Sequence, residues 1–179
     1  MQIRFDKHFK YLESPNYNYK FDLRTGTFYE WGATKEENPT GCPFGPTILD
    51  IEITTICNGP TCSIPGSELF GKTIPCNFCY KSNGPVGTNM SFETFKKILD
   101  KMPKDSNGHH VLTQVAIGGS ACAETNPDLW KMMEYCRENK VIPNITVADI
   151  NPETAEKLVG VCGAVAVSAY PAPDPNSGR

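Results

Sequence analysis

The chain has 179 residues, 17 of them basic and 20 acidic, for a net charge of −3. That length suits one compact domain with at most a small appendage, and the acidic balance argues against nucleic-acid binding by bulk charge, which needs a basic face. No apolar run approaches the ~20 residues that span a bilayer. The opening MQIRFDKHFKYLESP lacks the apolar core of a secretory signal, so the eight cysteines point to a reducing, cytoplasmic setting and to metal or redox chemistry rather than disulfides.

Residues 1–16 are polar and aromatic without a clear period. Residues 17–31, YNYKFDLRTGTFYEW, hold two aromatic runs around Arg24-Thr25-Gly26, the pattern of a β-hairpin with Gly26 at positive φ. Residues 32–47 carry Gly, Pro and charge and read as a linker or covering loop. The segment 1–47 is thus a small N-terminal unit, either a lid or a partner-docking strand.

ILDIEITTI (48–56) alternates Leu49, Ile51 and Ile53 with Asp50, Glu52 and Thr54 and predicts a strand. Residues 57–89 form a Cys-, Gly- and Pro-rich loop of a length that is usually functional. Ser91 caps a helix over 92–102, with Phe95, Ile98, Leu99 and Met102 on one face and Pro103 as its stop. VLTQVAI (111–117) predicts a second strand, ending on Gly118-Gly119. Asn126 and Pro127 then open a helix to about Lys140, with Leu129, Met132, Met133 and Cys136 as its buried stripe. NITVAD (144–149) is a third strand. Asn151 and Pro152 start a third helix that buries Ala155, Leu158 and Val159, and GAVAVSAY (163–170) is a fourth strand. The tail PAPDPNSGR reads as turn-like. Alternating strands and helices predict an α/β class with parallel pairing and right-handed crossovers.

The first predicted strand runs directly into Cys57, and Cys76-Asn77-Phe78-Cys79 follows in the same loop, with Cys62 between. Cys57, Cys62, Cys76 and Cys79 make C-x4-C-x13-C-x2-C, an acceptable framework for a structural zinc ion. Alternatively, three of them hold an iron–sulfur cluster and leave one iron open. Context favours the second framework. A thiolate at the C-terminal end of a parallel strand stands where open α/β sheets and barrels bind ligands, and an aromatic inside C-x2-C suits a planar ligand beside the cluster.

These motifs resemble the radical S-adenosylmethionine (radical SAM) superfamily, over roughly residues 48–170. EITTICN (52–58) is similar to the family's first strand and first cysteine, CNFCYKSN (76–83) to the remainder of its C-x3-C-x2-C motif, and AIGG (116–119) with NPDLWKMMEYCRENK to its second, Gly-rich motif and following helix. Eighteen residues separate Cys57 from Cys76, so NGPTCSIPGSELFGKTIP (58–75) looks like an insertion, and Cys62 is the alternative first ligand. After the glycines comes Ser120-Ala121-Cys122-Ala123-Glu124 instead of the family's Glu-Pro, with Glu124 either a displaced acid or no counterpart at all.

The resemblance implies a partial (β/α) barrel of parallel strands over 48–179, preceded by the small N-terminal β-hairpin unit 1–47. Four strands fall short of the family barrel, so the chain is expected to be an N-terminal fragment or else to complete its sheet by oligomerising, the fragment being favoured. It further implies a [4Fe–4S] cluster on Cys57, Cys76 and Cys79. S-adenosylmethionine would be bound with Phe78 near its adenine, Gly118 and Gly119 at its methionine amino group, and Asp149 and Ser168 reaching ribose or carboxylate. The implied activity is reductive cleavage of S-adenosylmethionine to a 5′-deoxyadenosyl radical that abstracts hydrogen from a substrate the sequence does not identify. An electron donor such as flavodoxin or ferredoxin would be a partner, and no membrane is involved. The alternatives are a non-catalytic zinc module on Cys57, Cys62, Cys76 and Cys79, and an electron-transfer iron–sulfur protein. Cys42, Cys136 and Cys162 read as small apolar residues, Cys122 as a rim residue, and His109 and His110 as solvated loop residues.

Overall fold

The structure, a computed structural model, describes residues 1–59, 68, 71–73, 81, 83–118, 122–147 and 150–168. The predicted site residues Cys62, Cys76, Phe78, Cys79, Gly119 and Asp149 lie outside the described residues. The fold is mixed α/β, with one four-stranded antiparallel sheet followed by one four-stranded parallel sheet.

The antiparallel sheet is larger than the single hairpin read from the sequence. β1 (Gln2–Asp6), β2 (Phe9–Glu13), β3 (Asn18–Asp22) and β4 (Phe28–Trp31) form a meander in chain order. The β3–β4 turn is the predicted one, with Gly26 at φ 72°. The β1–β2 turn has no Gly or Asn; Lys7 itself takes φ 52° there. One face of the sheet buries Ile3, Leu12, Tyr19 and Phe21 together with Tyr17.

The parallel sheet has the order β5 (Ile48–Ile51), β6 (Gln114–Ile117), β7 (Ile142–Val147) and β8 (Val165–Val167), in register from Ile51 through Ile117 to Ile145. All four predicted strands exist, although β5 ends five residues before Ile56 and β6 starts three residues later than expected. α1 (Phe92–Asp100) begins where predicted, with the Ser91 side chain accepting from the Thr94 N–H. α3 (Pro152–Leu158) likewise begins on Asn151, whose side chain accepts from Thr154 N. α2 (Leu129–Glu138) differs: its cap position is Asp128, and a 3₁₀ turn, Ala123–Thr125, precedes it. Its stripe Leu129, Met132, Met133 and Cys136 is buried as expected, against Phe95, Leu99, Val115 and Ile145.

The antiparallel sheet covers the N-terminal ends of the parallel strands. Val111 and Ile142, at the entries to β6 and β7, complete its apolar cluster. Tyr19 Oη donates to Val111 O at 2.9 Å, and Ile3 N donates to Asp105 Oδ2 at 2.9 Å. Lys10 Nζ donates to Leu112 O at 2.7 Å and, more weakly, to Lys140 O at 3.4 Å. Lys10 is fully buried, and burial lowers its pKa to about 7 against the opposing pull of Asp105. The sheet is therefore a floor under the base of the parallel strands, at the end opposite Cys57. His110 is part of this base and not a solvated loop residue: it is buried, and burial with Lys104 and Lys10 nearby lowers its pKa to about 4.

Candidate functional site

Beyond Ile51 the chain leaves the sheet but stays ordered by main-chain pairing. Met90 N donates to Ile53 O at 2.8 Å, Thr55 N to Thr88 O at 2.9 Å, and Cys57 N to Gly84 O at 2.8 Å. Residues 53–57 thus run beside 84–90, so that the Cys-rich loop leaves and returns at one place. A further tie closes the same neck, with Lys81 Nζ 3.3 Å from Glu52 Oε2. Glu52, read from the sequence as pointing away from the apolar face, has this ion pair as its partner.

Asn126 secures the neck from below. Its Nδ2 donates to Ile53 O at 2.7 Å and to Met90 O at 2.9 Å, while its Oδ1 accepts from Asp128 N at 2.9 Å. It is a buried clamp between two loop strands and also caps the turn 127–128 that leads into α2, which starts two residues later than Asn-Pro suggested. Asp128 in turn accepts from Phe92 N at 3.0 Å, which joins the starts of α1 and α2. Thr54, also buried, has its hydroxyl accepting from Ile56 N at 3.0 Å.

Cys57 stands half-buried at this rim, beyond the C-terminal ends of β5 and β6. Cys122 lies beside it. Its N–H donates to Ile56 O at 3.1 Å, and the two sulfurs are 3.7 Å apart, with Cys122 Sγ as donor. Burial pushes the Cys122 thiol up to about 11; the Asn58 N–H opposes this, and the Glu124 carboxylate and Cys57 reinforce it. The sequence placed Cys122 on the rim, but not in contact with Cys57. The signal was available in hindsight: both cysteines follow adjacent parallel strands by about five residues.

Gly118 ends β6 with φ 121°, and its N–H donates to Ile51 O at 3.3 Å. A Cβ there would stand 2.7 Å from Thr146 O on β7, so close strand approach alone accounts for the glycine. Ser168 follows β8, two strands over from β6, with its N–H donating to Val147 O at 2.9 Å. Cys57, Gly118 and Ser168 therefore all lie beyond C-terminal ends of the parallel strands, after β5, β6 and β8 respectively. Cys136 is buried in the main core and Cys42 and Cys162 are partly buried against apolar clusters, as small apolar residues. Among the described residues, no group of three or more His, Cys, Asp or Glu side chains converges as a metal site.

The chain matches no family model, no curated protein and no solved structure.

The donor chemistry of the rim fits a thiophilic metal group in part. Cys57 offers a half-exposed sulfur on a neck held by main-chain bonds. Cys122 offers a second sulfur, but at van der Waals contact. Thiolates on different irons of one cubane are separated by the width of the cluster, so Cys122 in this position is not a further cluster ligand. The 3.7 Å separation does match the edge of a thiolate tetrahedron around one ion, about 3.8 Å for Zn–S bonds of ~2.3 Å.

Proposed function

We propose that this chain is part of a radical SAM enzyme, with a (β/α) barrel built on the parallel sheet and a [4Fe–4S] cluster held by Cys57, Cys76 and Cys79. The observation that supports this reading most is the neck at the C-terminal edge of β5. There, Cys57 N pairs with Gly84 O and Glu52 pairs with Lys81, which follows Cys79 by two positions in the sequence. The two flanks of the Cys-rich loop therefore meet at the sheet edge where α/β folds bind their ligands.

When bound, the cluster supplies one electron for cleaving S-adenosylmethionine to a 5′-deoxyadenosyl radical. The chain's own residues bind and orient. Cys57 anchors the metal on a rigid neck, and Gly118 bares backbone at the end of β6. Ser168 stands at the same edge for a polar group of the ligand, and Phe78, Gly119 and Asp149 complete the set implied by the family resemblance. Cys122 shields one side of Cys57 without ligating a second iron. A flavodoxin- or ferredoxin-like donor in the cytoplasm supplies the electron, and the substrate on which the radical acts is left open. No helix among the described residues is long and apolar enough to cross a membrane.

Anaerobic reconstitution with iron and sulfide tests the reading. It expects broad visible absorption, iron and sulfide near four each per chain, and 5′-deoxyadenosine on reduction in the presence of S-adenosylmethionine. Colourless protein that takes up zinc instead would overturn it. The 3.7 Å Cys57–Cys122 separation favours that second reading, a mononuclear thiolate site joined by cysteines of the loop. The sequence drew the zinc set as Cys57, Cys62, Cys76 and Cys79; Cys122 is the thiol that the structure adds as a candidate.

A further inference from the structure

We propose that Cys57 and Cys122 form a redox-modification site. In the metal-free protein, a low-molecular-weight disulfide such as oxidised glutathione joins them in a reversible disulfide that withdraws Cys57 from metal binding. The loss of metal binding rests on the reading of Cys57 as a ligand; the bond between the two sulfurs does not.

The sulfurs are already in contact, 3.7 Å apart across 65 positions of sequence. Main-chain geometry enforces that contact. Cys122 N donates to Ile56 O at 3.1 Å, and Cys57 N donates to Gly84 O at 2.8 Å, so both Cα positions are fixed on adjacent segments. Closing to a disulfide bond of ~2.05 Å asks for rotation about the side-chain torsions and a small loop adjustment. Access is graded in the order the reaction needs. Cys57 is half-buried and reachable from solvent, whereas Cys122 is only 6% exposed and lies directly behind it.

The chemistry balances in two exchanges. Cys57 loses its proton and attacks one sulfur of glutathione disulfide. A bond forms from Cys57 to that sulfur, the glutathione S–S bond breaks, and one glutathione leaves as thiolate and is protonated. Cys122 then loses its proton and attacks Cys57 Sγ, expelling the second glutathione. Two protein thiols are oxidised, and one external disulfide is reduced to two thiols. The contact distance makes the second exchange intramolecular, and that proximity outweighs the small thiolate fraction of the buried Cys122, so the mixed disulfide does not accumulate.

Among the described residues, the other cysteines are less well placed for this reaction. Cys136 is wholly buried in the main core, and Cys162 Sγ is 2.9 Å from Ala164 O beyond α3. Cys42 packs at the floor, on the far side of the parallel sheet.

The experiment uses the full chain, stripped of metal by a chelator and equilibrated with glutathione buffers of graded potential. Acid quenching, alkylation and peptide mapping with fragmentation then assign the linked sulfurs. The expected product is a Cys57–Cys122 linked peptide, two hydrogens lighter than its parts and lost on reduction with dithiothreitol. C122S should instead accumulate glutathione on Cys57, and C136S should behave like the unsubstituted chain. Pairing of Cys57 mainly with another cysteine, or a stable glutathione adduct on Cys57 in the unsubstituted chain, overturns the proposal. Iron uptake measured in parallel separates the two readings. A linked peptide in a chain that takes up no iron removes the cluster and leaves the disulfide, and iron uptake without a linked peptide does the reverse.

Discussion

At the base of the parallel sheet, Lys10, Tyr19 and Ile3 each reach across from the antiparallel sheet to a carbonyl or carboxylate of residues 105–140, and all three are wholly buried. At the opposite rim, Cys57 is half exposed and meets Cys122 sulfur to sulfur, on loops held by main-chain bonds. The floor uses its polar groups to join two sheets; at the rim, the described thiols of Cys57 and Cys122 meet each other. On the proposed reading, stability and chemistry are thus assigned to opposite ends of the same strands, as in other parallel α/β architectures. A substitution at one end should leave the property of the other end nearly untouched.

The sharpest way to break that separation is Cys57→Ala. We expect it to abolish iron binding after reconstitution while leaving the thermal midpoint of the metal-free chain within a degree or two. Iron analysis and a melting curve on the same sample check both halves. A large drop in the midpoint would mean that the rim also carries the fold.

Phe21→Ala is the mirror experiment. Phe21 is fully buried in the floor, and removing such a ring costs about 3–5 kcal/mol. Urea unfolding should show the loss, and the folded fraction should still take up iron at the level of the unsubstituted chain.

Asn126→Ala probes the join between the two regions. It strips Met90 O of its side-chain donor and Asp128 N of its acceptor, while Ile53 O keeps the Met90 N–H, and an unsatisfied polar group away from water costs roughly 1–3 kcal/mol. We expect a loss of about 2–4 kcal/mol in urea unfolding, together with faster proteolysis within residues 53–90, because the neck loses its inner clamp. Unchanged proteolysis would show that the backbone pairing of the neck suffices.

Much of the parallel half was legible because its signals are local. Ser91 and Asn151-Pro152 mark helix starts by their own chemistry, and Leu129, Met132, Met133 and Cys136 repeat at helical spacing. The floor was less legible for a physical reason. Lys10 and Leu12 share one strand face, and period-two alternation puts both inside, but a lysine argues for solvent until its acceptors, the carbonyls of Leu112 and Lys140, are known. The β1–β2 turn hid as well, since Lys7 adopts positive φ without the usual Gly or Asn. Asn126 misled in the opposite way. Its Oδ1 does accept from Asp128 N as a cap would, but α2 starts two residues later than that pattern suggests, and the Nδ2 contacts with two distant carbonyls leave no local trace in the sequence. The Cys57–Cys122 contact was only partly legible: both cysteines follow adjacent strands by about five residues, but only the sheet register fixes that the two loops meet there.

The floor also predicts a pH dependence. Lys10 has a pKa of about 7 in the folded chain, against an ordinary 10.5 when unfolded, and His110 about 4 against 6.5. Between each pair of values the unfolded chain holds a proton that the folded chain does not, so stability rises with pH, by at most about 1.4 kcal/mol per pH unit from each group. Asp105, held below the usual carboxylate range by main-chain N–H groups despite its burial, adds a loss of stability in strong acid. Stability should therefore climb from pH 4 to 6.5, flatten briefly, and climb again from about pH 7 to 9, above which the buried thiols of Cys122 and Cys136, raised by burial, oppose the gain. Lys10→Met should remove the alkaline climb alone, and His110→Phe the acid one. Urea midpoints across this range measure it, and a profile that falls from pH 7 to 9 would contradict the buried, deprotonating lysine.

The smallest expected effect decides the most about the rim. Cys122→Ala removes one sulfur from van der Waals contact with Cys57, at a stability cost of about 1 kcal/mol for a small buried group. If the site is a cluster with three thiolates, Cys122 is too close to Cys57 to serve a different iron, and the variant keeps its full iron and sulfide content. If the site is instead one tetrahedral ion, the 3.7 Å edge makes Cys122 a ligand, and its loss weakens zinc binding by orders of magnitude. Iron content and zinc affinity measured on the same variant therefore move in different directions under the two readings. Retained iron with unchanged zinc affinity supports the cluster. Lost zinc affinity in a chain that never held iron moves the reading to a mononuclear thiolate site.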